Sequence, residues 1–140
     1  MFALYYHDIV YNTLKTNNEE KSAELAEKRM KETAVPAHIT EETKQLIIAT
    51  KAHNSAANTD VNYFTDADLS ILGSHWDEYA AYFKMIRKEY AAYPALVYNP
   101  GRKKVLQHFL QMERIFKTEA FFKKFEENAR QNLKRELALY

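Results

Sequence analysis

The sequence predicts an all-α protein, and three observations carry the prediction. Only two glycines, Gly73 and Gly101, and three prolines, Pro36, Pro94 and Pro100, interrupt 140 residues, and they cut the chain into helical lengths. No stretch alternates apolar and polar residues long enough to make a strand. Tyr79, Phe83, Ile86 and Tyr90 recur at intervals of four, three and four, which is one face of an amphipathic helix.

In chain order, residues 2 to about 14 are apolar on most sides, as in a helix buried in a core. Asn18 with Glu19 and Glu20 starts a second helix, its acids placed against the helix dipole, and that helix runs to about Ala34 with Ala23, Ala26 and Met30 inward. Val35-Pro36 ends it, and Thr40 with Thr43 forms a weak capping box for a third helix that carries Leu46, Ile47 and Ile48 and reaches His53. A polar loop over residues 54–60 precedes a short helix over 64–72, stopped by Gly73. The fifth helix runs from Trp76 to about Tyr90, and residues 93–101 connect it to a sixth carrying Val105, Phe109, Met112 and Phe116. Phe121, Phe125, Ala129, Leu133 and Leu137 set the phase of the last. With no repeat or long linker, the sequence predicts one domain over residues 1–140, a bundle of about six helices.

Composition narrows the function. Without cysteine there is no disulfide, thiolate metal site or cysteine nucleophile, so any metal must be held by histidine and carboxylate. Twenty basic against nineteen acidic residues give no general pull toward nucleic acid or an anionic membrane, and specific nucleic-acid binding is not expected. The apolar runs are too short to span a bilayer and no signal pattern opens the chain, which points to a cytoplasmic protein without a membrane partner.

Residues 4–11, LYYHDIVY, set His7 and Asp8 side by side in an apolar segment. A carboxylate buried there costs several kcal/mol or more unless it is compensated, and a metal ion is one compensation. Adjacent helical residues point about 100° apart, so further ligands must come from other helices. His53 and Asp66 or Asp68 are the candidates, and a histidine hydrogen-bonded to a carboxylate in a packed core is the plainer alternative.

The ordered set HD at His7 and Asp8, NEEKSA at 18–23, ATKAH at 49–53, DADLSILG at 66–73, YAAYFKMIRKEY at 79–90 and GRKKVLQHFL at 101–110 resembles predicted metal-dependent phosphohydrolases of the HD superfamily. The likeness extends to ARQNLKREL at 129–137. It implies an HD-domain-like bundle and metal ligation by His7, Asp8 and Asp68, with Asp66 as fallback ligand or helix cap. His53 falls where some members carry further histidines, and a solvent-facing histidine is the other option. Imidazole with carboxylate suits manganese, magnesium, iron or zinc. The implied reaction is hydrolysis of a phosphate ester, with a nucleotide as one candidate for the small phosphorylated substrate. Glu20 is the candidate for orienting water or protonating the leaving group, or else a dipole partner of its helix. Lys51 and Arg87 are the candidate phosphate cations, Arg87 alternatively pairing with an acid such as Glu89 or Glu119.

Relatives carry an earlier helix with another ligand histidine, which has no counterpart before His7. The expectation is therefore a shortened member lacking the first helical region, whose apolar start seeks a partner as a homodimer. A catalytically impaired HD-like module with a binding or assembly role is the alternative.

Overall fold

Seven α-helices and one 3₁₀ helix, with no strand, make up the computed structural model of the chain, which describes residues 1–140. The all-α expectation holds, with seven α-helices against about six foreseen. The helices fall into two compact units, residues 1–65 and 66–140.

In the first unit, helix α1 (Phe2–Tyr6) is far shorter than the periodicity predicts. Asparagine and serine side chains take over the backbone beyond it. Asn12 Oδ1 accepts the Leu14 N–H at 2.9 Å, Asn18 bridges the Asn12 N–H and C=O at 3.0 and 3.1 Å, and Ser22 Oγ accepts the Val10 N–H at 3.1 Å. These bonds offer the segment an alternative to helical pairing. Helix α2 (Asn18–Glu32) then runs with Glu19 and Glu20 in its first turn and Arg29 and Lys31 in its last, each sign opposing its end of the dipole. It closes with Ala34 in the left-handed region, φ 55°, while Val35 N–H bonds the Met30 carbonyl at 2.9 Å and Ala34 N–H the Lys31 carbonyl at 3.2 Å. That is a Schellman closure made without glycine.

Helix α3 (Ala37–Ala49) begins directly after Pro36, not at Thr40. The expected capping box does not form: Thr40 and Thr43 lie one turn or more inside the helix, both buried, and Thr40 Oγ1 bonds back to the Pro36 carbonyl at 3.3 Å. Ala3, Ala23, Ala26 and Ile47 form the core, with Tyr6, Leu46 and Phe64 against it. Three alanines among four fully buried members let α1, α2 and α3 approach closely, at the expense of apolar area. Helix α4 (Thr59–Asp68) starts five residues before the expected position, because Asn58 Oδ1 accepts the Asp60 N–H at 2.8 Å and caps it.

In the second unit, the 3₁₀ helix (Leu69–Gly73) packs against helix α7 (Glu119–Leu137). The approach needs a glycine: a Cβ on Gly73 would lie 2.6 Å from Phe125 Cβ and 2.7 Å from its carbonyl. Helix α5 (Trp76–Glu89) buries Tyr79, Ala80 and Phe83 as the spacing predicts. Helix α6 (Ala95–Gln111) corrects the expected connection, since it takes in Pro100 and Gly101. Pro94 sets its start with φ −56°, and Pro100 sits so near that start that it removes only the bond to the carbonyl of the exposed Leu96. The core gathers Leu72, Tyr79, Phe83, Leu106, Ile115, Phe116, Ala129 and Leu133.

Candidate functional site

His7 sits at the C-cap of α1, its N–H bonded to the Ala3 carbonyl at 2.9 Å and its ring edge-on to Phe64 with centroids 5.9 Å apart. Its Nδ1 lies 3.1 Å from the Leu4 carbonyl. A carbonyl only accepts, so Nδ1 is the donor in that contact. Nε2 lies 3.3 Å from Asp8 Oδ2. Asp8 itself is not the buried carboxylate the apolar segment predicts: its side chain is 70% exposed and that of His7 19%. With α1 ending at Tyr6, Asp8 stands in a turn past the helix and is exposed to water.

Glu20 and Lys51, expected as catalytic acid and phosphate cation, pair with each other. The Lys51 ammonium, donating a hydrogen bond to Oε1, holds the Glu20 carboxyl below its usual range, while Oε2 has no hydrogen-bond partner. His53 follows α3 as a half-buried residue with φ 51°, its N–H on the Ala49 carbonyl at 3.1 Å. These residues all belong to the first unit.

Asp68 and Arg87 belong to the second. Asp68 ends α4, half-buried. Its neighbour Asp66 is fully buried and bound: Oδ2 accepts the Thr118 N–H and hydroxyl, each at 2.7 Å, and Oδ1 the Lys117 N–H at 2.9 Å. Asp66 therefore does cap a helix, the start of α7 rather than its own. Arg87 donates to the Tyr90 carbonyl at 2.8 Å and the Tyr93 carbonyl at 3.1 Å, with its guanidinium 4.7 Å from the Tyr98 ring. Those carbonyls, not Glu89 or Glu119, are its partners. Within neither unit do three His, Asp or Glu side chains gather as a metal-ligating group.

A polar cluster that sequence reasoning missed lies in the second unit. The fully buried Glu136 receives Arg102 Nε at 2.8 Å and Nη2 at 2.9 Å, the Tyr79 hydroxyl in a short contact, and the Tyr140 hydroxyl at 3.2 Å. Burial, with the bond to Glu136 adding to it, pushes the Tyr79 hydroxyl far above its ordinary value, so it stays protonated. Glu126 is similarly placed, accepting the Ile115 and Phe116 N–H groups at 3.1 Å and Arg130 Nε at 2.7 Å. The signal was present: Glu126, Ala129, Asn132, Leu133 and Glu136 share the spacing of the buried face of α7.

No helix is long and apolar enough to cross a membrane. Comparison with known protein families, curated proteins and solved structures returned no match.

Proposed function

We propose that the chain is a metal-dependent phosphohydrolase of the HD superfamily type, acting on a small phosphorylated substrate such as a nucleotide in the cytoplasm. The observation that carries the reading is the approach of His7 Nε2 to Asp8 Oδ2 at 3.3 Å with Nδ1 engaged by the Leu4 carbonyl. An imidazole nitrogen and a carboxylate oxygen this close are a pair of donors that one cation could share. The donor set of His7 and Asp8, imidazole and carboxylate, fits manganese, magnesium, iron or zinc as two ligands. Such an ion, when bound, lowers the pKa of a coordinated water and neutralises phosphate charge.

The chain's own residues do the rest. The Leu4 carbonyl orients the His7 ring through Nδ1, and the exposed Asp8 is open to a ligand from solvent. Lys51 keeps Glu20 ionised, which suits Glu20 to orienting a water rather than to protonating a leaving group, and the half-exposed Lys51 is the candidate phosphate cation. Arg87, bound to two carbonyls, is the weaker phosphate candidate.

A second reading is favoured by the Glu20–Lys51 pairing, which leaves both groups neutralised: an HD-like module without activity, used for binding or assembly. The exposed Leu4, Tyr5, Ile9, Tyr11 and Leu14 support assembly as a homodimer. Elemental analysis of purified protein separates the two readings, since about one equivalent of divalent metal, lost in Asp8→Ala, is expected of the enzyme. Phosphatase assays with added manganese, using p-nitrophenyl phosphate and nucleoside monophosphates, follow, and equal rates for wild type and Asp8→Ala would remove the enzyme. Light scattering that finds a monomer at high concentration would remove the dimer.

A further inference from the structure

We propose that the second unit carries a binding site for a hydrogen-phosphate group, in the cavity between the start of α5 and α7, outside the residues of the proposed metal chemistry. The cavity measures about 200 Å³, and its wall includes Ser74, His75, Trp76, Asn128, Asn132 and Arg135. That is below the roughly 300 Å³ at which pockets for drug-sized ligands begin, and it suits a small polar ion. Hydroxyl, imidazole, carboxamide and guanidinium groups all contribute to the lining.

Charge selects an anion. Arg135 is the guanidinium of the wall, and no carboxylate pairs with it. It lies over the Trp76 ring, 3.7 Å from the centroid, which holds the group at the cavity. That contact uses the charge and none of the N–H donors, which stay available to an oxyanion. No acid lines the cavity. On α7, Glu127 accepts from Gln131 Nε2 at 2.8 Å and Glu136 holds Arg102, while Asp77 and Glu78 lie in the first turn of α5, outside the wall.

Asn132 selects the proton. Only 7% exposed, it donates from Nδ2 to the Leu72 carbonyl at 2.8 Å and the Ser74 carbonyl at 2.9 Å. Carbonyls only accept, so the orientation of the amide is fixed and both its hydrogens are used. What Asn132 has left for the cavity is Oδ1, an acceptor that receives no bond. The guest must therefore accept from Arg135 and donate to Asn132. Hydrogen phosphate does both, because it keeps a proton at neutral pH. Sulfate only accepts, and would set oxygen against oxygen.

The probe is inorganic phosphate, titrated into ¹⁵N-labelled full-length protein at constant ionic strength, with sulfate as the proton-free counterpart. Saturable amide shifts centred on residues 74–77 and 128–135 are expected, with phosphate binding about tenfold tighter than sulfate. Arg135→Gln should weaken phosphate by about tenfold or more, while Lys134→Gln, which removes an exposed charge outside the wall, leaves the affinity unchanged. Absence of saturation, or equal affinity in Arg135→Gln with a native-like spectrum, would overturn the site, and so would equal losses in the two variants. Equal affinity for sulfate in the wild-type protein would overturn the hydrogen-phosphate assignment, and that comparison does not depend on how any variant folds.

Discussion

Asp66 and Thr118, fifty-two residues apart in sequence, are joined twice through one oxygen, Oδ2 accepting both the N–H and the hydroxyl of Thr118 at 2.7 Å. With the Lys117 N–H on Oδ1, the carboxylate supplies acceptors to the free donors at the start of α7. Removing it strands two backbone donors. Asp66→Ala should destabilise the protein by about 3 kcal/mol or more, and Asp66→Asn by less, as read by urea denaturation. A loss under about 1 kcal/mol for the alanine variant would contradict this role.

Lys117 is buried beside Asp66, its Nζ 3.6 Å from Oδ1 with a side chain 5% exposed. Burial outweighs the pull of Asp66 and pushes the ammonium below its ordinary 10.5. Between that lowered value and 10.5 the unfolded chain binds more protons than the folded one, so stability at this group rises with pH across that window. Lys117→Met should therefore be more stable than wild type near neutral pH, with an advantage that shrinks toward pH 10.5. Melting curves across pH would show the convergence, and a constant difference would refute it.

The Glu136 cluster predicts strong coupling. Arg102→Met or Glu136→Leu alone leaves a buried charge without its partner and should cost about 3–5 kcal/mol, whereas the double variant should lie within about 1–2 kcal/mol of wild type. A double-mutant cycle measures this, and additive losses would mean that the two side chains act independently.

Glu27 ties α2 to α3 by bonding Lys31 at 2.7 Å on its own helix and Lys44 at 2.8 Å across. The Lys31 bond first, then that of Lys44, lower its carboxyl from 4.5 to about 2. A carboxylate lowered on folding contributes stability above 4.5 that is lost as pH falls toward 2. Glu27→Gln should be less stable than wild type at neutral pH and should match it near pH 2. Acid titration of the two proteins checks the convergence.

Two backbone positions call for opposite substitutions. Ala34 holds a left-handed φ of 55° that costs an L-residue roughly 1 kcal/mol, so Ala34→Gly should raise stability by up to that amount despite its entropic penalty. Gly73→Ala should lower it, because both the Cβ and the carbonyl of Phe125 block the added methyl and α7 must shift. Thermal melts with opposite signs are the expected result.

The sequence by itself determined the all-α class, the core phase of α5 in Tyr79 and Phe83, and the end of α2 before Pro36. Each depends on side-chain spacing or backbone chemistry within a turn or two, which neighbours in sequence express directly. Tertiary structure decided where the polar side chains went. Thr40 and Thr43 read as a cap but pack inside the first unit, Pro100 reads as a stop but is carried within α6, and Glu20 and Lys51 read as separate tools but neutralise each other. Asp66 draws its partners, and Glu136 its Arg102 and Tyr79 partners, from more than thirty residues away. The free energy of a buried charge is set by whatever the fold brings against it, and one strand of sequence holds only half of each such pair.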